Sequence, residues 1–391
     1  MDFDVLIAGA GPAGCTFASG LRGSGLKVGI IDLKSHEQLI SPGFDGREIA
    51  LSQRTVDILS EFGIWPHVPE CERFAINASK VIDGGTIAEL NFKRPPFINR
   101  PLGRLVSNHL IQKAAYETAS EIKDVTLIEG HKAVSVMPGC QHSIVTLDSG
   151  AQLAAPLVVA ADTRFSELRR QAGITASMHD FGQTMLVCRM THEKPHHGTA
   201  WECFLYGATI AVLPLSPGLS SFILTLPQHK MSEWQEKSCG DFAADLERLL
   251  ASRFGAMELA SERITYPLVG VYSHRFVADG FALVGDAAVG MHPVTAHGYN
   301  FCVTGAHALS RRIRQAARNG RDFRSPALLN AYQLEHRART RPLYEATRQL
   351  VQLYTDESRI ARFARKAMLR AGIAAGPART AIAGMLTRHA A

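Results

Sequence analysis

The glycine-rich stretch at the start of the chain constrains the fold more than any other. The apolar run Val5–Ala8 has no position for solvent, which is typical of a buried strand in a parallel sheet. Gly9, Gly11 and Gly14 follow with the G-x-G-x-x-G spacing, and a helical stretch over residues 15–23 comes next. A strand, a turn of this kind and a helix form the unit that binds the pyrophosphate of a dinucleotide. The alternative is a glycine-rich turn with a purely structural role.

The residues of this turn each have a physical reason in such a unit. Gly9 permits the tight turn, Gly11 lets the backbone approach a phosphate, and Gly14 lets the helix pack closely on the strand. Pro12 and Ala13 lie in the turn, shortly before the predicted helix. Free N–H groups and the positive end of the helix dipole attract phosphate there, so we expect both residues beside the cofactor.

Two charged residues further along are candidates for contact with the same ligand. Asp32 ends a second apolar strand over residues 27–31, and an acid about 20 residues into such a unit hydrogen-bonds a ribose hydroxyl. Arg47 follows a loop over residues 36–46 that contains Gly, Pro and Ser. Arg47 fits a cofactor phosphate, the wall of a substrate cavity or a structural salt bridge, and these alternatives stay open.

A second buried strand that ends in an acid lies near residue 283. Residues 281–284 are apolar, and Gly285 and Asp286 follow them. Ligands bind at the carboxyl ends of strands in open α/β sheets, so Asp286 is a candidate ligand contact. Its alternative role is to cap the N-terminus of a helix.

The loop over residues 289–300 precedes a helix predicted for residues 301–317. His292 and His297 lie five residues apart in this loop, and no third histidine or carboxylate recurs at helical spacing. The sequence therefore predicts no metal site. A structural role in the loop is the alternative for each histidine.

Residues 176–230 contain several strand-like runs, typical of an antiparallel sheet that walls an apolar cavity. Trp201, Phe204 and Tyr206 are candidate aromatic residues of that cavity, with ordinary core packing as the alternative for each.

Size and cysteine usage narrow the class of protein. The chain has 391 residues, enough for two domains or two interleaved lobes. Its seven cysteines are scattered and odd in number, so we expect a cytoplasmic protein without a disulfide framework. No apolar run approaches the roughly 18 residues of a membrane span. Asp2 and Asp4 differ from the basic start of a signal peptide.

Charge is distributed unevenly along the chain. Residues 311–391 hold 17 Lys or Arg against 5 Asp or Glu, whereas the rest of the chain holds 25 against 31. A basic, helical C-terminal region suits an anionic lipid surface, and we expect peripheral contact with the inner face of the cell membrane. The alternative is a solvated helix face. No nucleic-acid-binding motif is present, so we expect no nucleic-acid partner.

Three separated segments resemble the fingerprints of one enzyme family. They are GAGPAG at residues 9–14, ADTRFSELR at residues 161–169 and LVGDAA at residues 283–288. Together they resemble the group A FAD-dependent aromatic hydroxylases, the p-hydroxybenzoate hydroxylase-like flavoproteins. Residues 45–52, 213–215 and 292–293 look most similar to the ubiquinone-biosynthesis hydroxylases within that group. The resemblance spans about residues 3–360.

The resemblance implies a set of contacts with FAD. The glycines at 9, 11 and 14 would hold the pyrophosphate, Asp32 the adenosine ribose and Asp286 the ribityl chain. Asp162 belongs to the segment associated with both FAD and NAD(P)H. The other implied cofactor contacts are Arg47, Gln112, Gly285, Gly298 and Asn300. Pro293 and the loop to Asn300 would lie against the isoalloxazine ring. We expect His292, Pro293 and His297 near the reacting atoms, with His297 as a proton donor or a positioning residue.

The chain departs from the family pattern in four places. Thr163 replaces the second glycine of the middle motif, and Val289 stands where the third motif commonly has His. The usual G-Q-G before Asn300 is Ala296-His297-Gly298 in this chain, and Gly305 stands where Asp is common. Three of the four surround the flavin, so they bear on substrate choice and ring position more than on cofactor binding.

The resemblance implies that NAD(P)H and O₂ are used to hydroxylate an aromatic ring by way of a flavin C4a-hydroperoxide. The substrate would be a polyprenylated phenol or quinol precursor of ubiquinone. Alternatives are a prenyl-lipid reductase of the same fold, a tailoring hydroxylase of secondary metabolism and a flavin-binding accessory protein without turnover. Contact with a quinone-biosynthesis complex and homo-oligomerisation are further expectations.

The expected fold class is α/β, with a Rossmann-like FAD-binding domain built on a parallel sheet. An antiparallel-sheet substrate domain interleaves with it, and C-terminal helices follow. We expect the FAD-binding domain over residues 1–73, 100–175 and 270–330. The substrate domain is expected over residues 74–99 and 176–269, and the helical region over residues 331–391.

Overall fold

The structure of the chain is a computed structural model. It describes residues 2–84, 89–93, 99–139, 141–205, 207–355 and 358. The α-helices of the described residues are α1 (Pro12–Gly20), α2 (His36–Ile40), α3 (Gln53–Glu61), α4 (Asn108–Ser120), α5 (Glu167–Gln171), α6 (Gln228–Glu236), α7 (Cys239–Leu249), α8 (Gly298–Arg318) and α9 (Pro326–Thr355). Short 3₁₀ turns cover Trp65–His67, Glu70–Glu72, Gly285–Ala287 and Pro293–Thr295.

The strands of the same residues alternate with these helices in the first half of the chain and cluster in the second. They are β1 (Val5–Ala8), β2 (Val28–Asp32), β3 (Glu48–Ser52), β4 (Phe74–Ile76), β5 (Ala78–Asp83), β6 (Glu89–Lys93), β7 (Gly103–Ser107), β8 (Val125–Glu129), β9 (Ala133–Met137), β10 (Ser143–Leu147), β11 (Gln152–Ala155), β12 (Leu157–Ala160), β13 (Ala176–His192), β14 (Thr199–Leu205), β15 (Ala208–Pro214), β16 (Leu219–Pro227), β17 (Met257–Leu259), β18 (Ile264–Ser273), β19 (Val277–Ala278), β20 (Phe281–Leu283) and β21 (Val289–Gly290).

A six-stranded sheet in the order β19-β20-β12-β1-β2-β8 forms the centre of the first layer. Every pair from β20 to β8 is parallel, and β19 is an antiparallel edge strand. The runs Val5–Ala8 and Leu157–Ala160 are buried at every position because helices and a second small sheet cover both faces. The carboxyl ends of β1, β2, β12 and β20 meet at one edge, which confirms the predicted parallel sheet.

A nine-stranded sheet forms the second large layer, in the order β21-β18-β13-β16-β15-β14-β5-β6 with β17 beside β13. The pairing is antiparallel except between β14 and β5. Strand residues alternate between two environments. One face packs on α7 through Cys203, Val212 and Phe222, and the other face borders a cavity. This sheet confirms the predicted antiparallel element.

Local structure differs from the sequence prediction in two places. The predicted loop over residues 36–46 begins with helix α2, because Ser35 and Gln38 form a reciprocal capping box around its N-terminus. The helix predicted from residue 301 begins at Gly298. Strand β2 and helix α1 lie within one to three residues of their predicted bounds.

Helix α9 extends to Thr355, and the predicted helical region beyond it lies outside the described residues, apart from Ser358. Across the part of the chain that the structure describes, no helix combines the length and apolar character needed to cross a bilayer. Residues 78–93 and 176–273 supply most strands of the nine-stranded sheet. The division into domains stays a prediction.

Candidate active site

A cavity of about 1140 Å³ lies between the carboxyl edge of the parallel sheet and the open face of the nine-stranded sheet. Its volume exceeds the roughly 300–1,000 Å³ of ordinary small-molecule sites, so it has room for a dinucleotide and a second molecule. The cavity brings together most of the predicted site residues. Those that line it are Gly9, Gly11, Pro12, Ala13, Asp32, Arg47, Gln112, Asp162, Gly285, Asp286, His292, Pro293 and Gly298.

The glycines of the first loop have three different environments. Gly9 has φ +108°, and a Cβ there would lie 2.7 Å from the Ala161 carbonyl oxygen. A Cβ on Gly14 would lie 1.9 Å from the Gly9 carbonyl oxygen, so the helix and the loop touch directly. A Cβ on Gly11 would meet nothing within 4 Å. Among these three glycines, only Gly11 has open space where a Cβ would lie, as expected where a ligand phosphate approaches the backbone.

The first helix begins at this open space. Pro12 occupies its first turn, the N-cap has no side-chain hydrogen bond, and both Pro12 and Ala13 border the cavity. Asp32 fixes the loop from below, because its Oδ2 accepts the Ala10 N–H at 2.7 Å. The other oxygen, Oδ1, accepts the Lys34 N–H at 2.9 Å. Asp32 thus lines the cavity and also fixes the backbone conformation of the glycine loop through its hydrogen bond with Ala10.

A charged bridge connects the second fingerprint to the third. Arg164 Nη2 donates to Asp286 Oδ2 at 3.1 Å, and Nη1 donates to the Val269 carbonyl at 2.9 Å. Arg164 was not predicted as a site residue, although it lies within the middle motif. Gly285 has φ +62°, and a Cβ there would lie 2.7 Å from the Cβ of Ala13. This glycine therefore lets the strand end approach the first helix.

Asp162 ends strand β12 at the cavity edge. Its Oδ1 is buried and has no hydrogen-bond partner among the described residues. Burial is the main cause that raises the pKa of this carboxyl, against the hydrogen bonds from Ser166 and the Thr163 backbone. A buried oxygen without a partner is costly unless a ligand donates to it. The Asp162 carboxyl is therefore available to a hydroxyl or amide of the cofactor.

Arg47 lies at the cavity wall in an ion pair rather than alone. Its Nε donates to Asp45 Oδ2 at 3.0 Å, and its guanidinium lies 5.3 Å from the centre of the Tyr266 ring. The structural salt bridge considered for Arg47 is thus present, and its contact with the cofactor stays a prediction. Gln112 reaches the cavity from the first turn of helix α4.

The loop over residues 289–300 divides into residues that reach the cavity and residues that do not. His292 and Pro293 line the cavity, whereas His297 does not and packs its ring on Phe301 at 5.8 Å. His292 is 7% exposed, and its Nδ1 accepts the Val294 N–H at 3.2 Å. Burial lowers the pKa of His292 to about 4, so the ring is neutral at pH 7.

The neutral His292 ring has a defined tautomer. Because Nδ1 accepts a hydrogen bond, the proton of the neutral ring is on Nε2. Nε2 is buried and has no partner among the described residues. His292 therefore offers one unused N–H donor at the cavity wall.

Asn300 supports the same loop from outside the cavity. Its Nδ2 donates to the carbonyls of Ala50 and Ala296, each at 2.8 Å. Its Oδ1 accepts the Ser52 N–H at 2.9 Å and the Thr55 hydroxyl at 2.6 Å. All four hydrogen-bonding positions of the amide are used, so any cofactor contact at this residue would come from its backbone.

The nine-stranded sheet forms the apolar wall of the cavity. Phe204 lines it, whereas Trp201 faces the opposite side and packs on Phe254 at 5.9 Å, as the strand alternation requires. Tyr206 lies outside the described residues. Glu202 also lines the cavity, and sequence reasoning did not identify it. Glu202 lies two residues before Phe204 on the same strand, so the two side chains point to the same face of the sheet. This spacing could have identified Glu202 as a cavity residue from the sequence.

These features fit a bound FAD. An open cradle at Gly11, an uncapped helix N-terminus and an unpartnered Asp162 oxygen lie at one side of a cavity large enough for it. Within the described ranges, no three His, Cys, Asp or Glu side chains gather as a metal site would require.

The comparisons with known proteins agree with this site. Residues 2–347 match the model of the FAD binding domain family. The chain is 41% identical over 388 residues to a protein named ubiquinone hydroxylase UbiM from Neisseria meningitidis, covering 98% of this chain and 84% of that protein. It is 32% identical to a protein named ubiquinone hydroxylase UbiL from Rhodospirillum rubrum, with 99% and 89% covered.

Solved structures share the fold. The crystal structure of pqsL, a probable FAD-dependent monooxygenase from Pseudomonas aeruginosa, aligns with a TM-score of 0.77 at 20% identity. The alignment covers 90% of this chain and 97% of that one. The match confirms the predicted α/β fold class. The chain belongs to the FAD binding domain family and, within it, to the FAD-dependent hydroxylases.

Proposed function

We propose that the chain hydroxylates an aromatic ring of a polyprenylated phenol or quinol precursor in ubiquinone biosynthesis. The observation that carries this proposal is the composition of the cavity's sheet wall. Among the described residues of β13 to β16 and β18, the cavity-lining side chains include no Lys or Arg. The nearby Arg47 is already paired with Asp45, so a carboxylated aromatic substrate would find no free counter-charge at this wall, whereas an uncharged ring with an apolar chain is suited to it. The relatives named ubiquinone hydroxylases support the same assignment.

The first half of the site would hold the cofactor. FAD, when bound, supplies the transfer of electrons from NAD(P)H and the activation of O₂. The Gly11 cradle and the start of helix α1 would bind its pyrophosphate, and Asp32 would bind its ribose. Asp286 would bind the ribityl chain, held in position by Arg164 at 3.1 Å. Gly298, at the N-terminus of helix α8, would favour negative charge on the reduced flavin.

The chain's own residues would then orient the substrate and exclude water. We assign the polar contact near the reacting atoms to His292 rather than His297, because the His292 Nε2–H is buried at the cavity wall. Its neutral ring donates a hydrogen bond without adding charge. Phe204 stacks on Tyr354 with ring centres 3.8 Å apart, so the end of helix α9 covers the sheet wall. Such a cover suits a reaction that must be kept dry.

The test is oxygen transfer by FAD-loaded protein. A prenylated phenol, NADH or NADPH and ¹⁸O₂ should give a ring-hydroxylated product that contains the label, and 4-hydroxybenzoate should give none. Unlabelled product, or double-bond reduction under anaerobic conditions, would refute the assignment and support a prenyl-lipid reductase. Comparing the rates with NADH and NADPH would identify the nicotinamide, which we infer binds transiently because the chain has one glycine fingerprint.

We further infer a cytoplasmic enzyme that contacts the inner face of the cell membrane through its basic C-terminal region. The charge excess of residues 311–391 supports this. Vesicles with anionic lipid should sediment the protein at low salt, and vesicles of neutral lipid should not. Equal sedimentation by both would contradict the inference. Homo-oligomerisation and contact with a quinone-biosynthesis complex stay proposals, tested by light scattering and by co-purification.

A further inference from the structure

Glu202 is a half-buried titratable group that the proposed function does not yet use. It lies on strand β14, where Trp201 and Cys203 face the α7 side of the sheet. The side chains of Glu202 and Phe204 point to the other face of the sheet and line the cavity. The part of the Glu202 side chain that remains accessible therefore faces the cavity rather than bulk solvent.

The row of side chains across the sheet at Glu202 is otherwise apolar. Ala211 lies directly opposite on β15, Ile223 follows on β16 and Val187 on β13. Glu202 makes no hydrogen bond or ion pair with the residues that the structure describes. In contrast, the Glu48 carboxylate of the same cavity pairs with Arg189 at 2.7 Å.

Nearby charges do not account for this carboxyl. Lys80 and Arg253 gather over the Trp201 ring, at 4.3 and 5.9 Å, on the other face of the sheet. Glu89 pairs with both cations on that side. Another acid of the sheet, Asp83 of β5, lies opposite Phe204; it is buried and is not among the residues that line the cavity.

On the cavity side, the titratable groups of the facing elements include Tyr354 of helix α9, Tyr266 of β18 and His292. Arg47 and Glu48 also line the cavity, and each is held in an ion pair, with Asp45 and Arg189 respectively. The removal of water alone raises the pKa of Glu202, to about 8. A carboxyl with a pKa near the working pH is well suited to accept and return a proton.

We propose that Glu202 accepts the proton of the substrate's phenolic hydroxyl. This inference rests on the proposed function. The phenol O–H bond breaks, the proton joins a Glu202 oxygen, and the electron pair remains on the phenol oxygen. The carboxylate becomes a neutral acid as the phenol becomes a phenolate, so the cavity gains no net charge. A phenolate ring is more electron-rich and therefore accepts an electrophilic oxygen more readily than the phenol.

The test measures binding to FAD-loaded protein by calorimetry, with 2-octylphenol and its methyl ether as probes. The ether has the same shape and lacks the proton. We expect the wild type to bind the phenol more tightly, with an association constant that rises up to about pH 8 and then levels off. E202Q should weaken phenol binding about tenfold or more, as expected for loss of a hydrogen bond to a charged group. It should remove the pH dependence and leave ether binding unchanged.

The exposed Glu258 of strand β17 provides the matched control, and E258Q should behave as the wild type. Thermal melting gives a second reading that needs no substrate. Because the pKa of Glu202 is about 8 in the folded state and 4.5 in the unfolded state, the unfolded state loses this proton first as pH rises. The melting temperature should therefore fall between about pH 4.5 and pH 8, and it should fall less in E202Q.

Three results would overturn the inference. They are no preference of the wild type for the phenol, unchanged phenol binding in E202Q, and identical melting profiles of the two proteins. A normal E202Q effect without ¹⁸O in any product would instead refute the proposed hydroxylation and leave the phenol-binding role of Glu202 standing.

Discussion

The amide of Asn300 gives the sharpest test of how the cavity loop is held. Its four hydrogen bonds join helix α8 to strand β3, to Thr55 of helix α3 and to the loop at Ala296, and the longest of them spans 250 residues of sequence. At about 1 kcal/mol net for each bond, truncation would cost about 4 kcal/mol. The Thr55 hydroxyl keeps a second partner in Ser52 Oγ at 3.0 Å, so one bond is partly replaced. We therefore expect N300A to lower the free energy of unfolding by about 3 kcal/mol.

N300D separates the donors from the acceptors. An aspartate keeps one oxygen that accepts from the Ser52 N–H and the Thr55 hydroxyl. Its second oxygen, however, replaces the NH₂ donor that faces the carbonyl oxygens of Ala50 and Ala296. Repulsion replaces two hydrogen bonds, so N300D should destabilise at least as much as N300A. The exposed Asn319 at the other end of the same helix provides the control, and N319A should change stability by less than about 0.5 kcal/mol.

The assay is urea unfolding of the cofactor-free protein, with amide exchange at Ser52 as a local reading. Faster exchange of the Ser52 N–H in N300A would show that its partner is lost. FAD affinity, measured separately, should fall only modestly because the Asn300 side chain lies outside the cavity. Stability unchanged within about 0.5 kcal/mol, together with a tenfold or larger loss of FAD affinity, would refute the reasoning. It would show that the amide binds the cofactor instead.

Three further predictions concern the glycine loop, a buried imidazole and a buried ion pair. G14A should lower both the free energy of unfolding and the FAD affinity, because its Cβ would lie 1.9 Å from the Gly9 carbonyl oxygen. G11A should lower the FAD affinity alone and leave the melting temperature of the cofactor-free protein unchanged, because its Cβ would meet no atom of the protein within 4 Å. Burial lowers the pKa of His336 to about 4, so the unfolded state takes up its proton first as pH falls from about 6.5. That lowers the free energy of unfolding by about 3 kcal/mol at pH 4, and urea midpoints of H336Q should be less sensitive to acid. R189M should cost about 3 kcal/mol in thermal unfolding, because it leaves the buried Glu48 carboxyl without its cation, and the double variant with E48L should recover most of that loss.

The sequence predicted those parts of the site that depend on local patterns. The strand, glycine turn and helix at Val5–Ala8 and Gly9 to Gly14 have a spacing typical of one local geometry, and the structure confirms their arrangement. The buried strand before Gly285 was recognisable for the same reason. Helix α2 was also readable, because Ser35 and Gln38 have capping-box spacing, but the Gly and Pro around it favoured a loop.

The parts that the sequence did not predict depend on contacts between distant segments. Arg164 and Asp286 are 122 residues apart, and their ion pair exists only because the ends of β12 and β20 are neighbours in the sheet. The side-chain amide of Asn300 is engaged by strand β3, Thr55 and Ala296, which no local pattern indicates, and its predicted contact with the cofactor stays a prediction. The preference for His292 over His297 likewise needed the path of the loop, since both are polar residues in one short segment.

The two sides of the cavity select their ligands by different physical means. On the parallel-sheet side, Asp32, Lys34 and the Arg164–Asp286 bridge provide fixed charges and hydrogen bonds, which suit the phosphates and hydroxyls of a dinucleotide. On the other side, burial disfavours the charged forms of two cavity residues, because it lowers the pKa of His292 to about 4 and raises the pKa of Glu202 to about 8. A charged substrate would have to shed its water there without gaining an opposite charge, at a cost of several kcal/mol. An apolar phenol loses little water and can still give its proton to the ionised form of Glu202, so the low charge of this wall is itself a source of specificity.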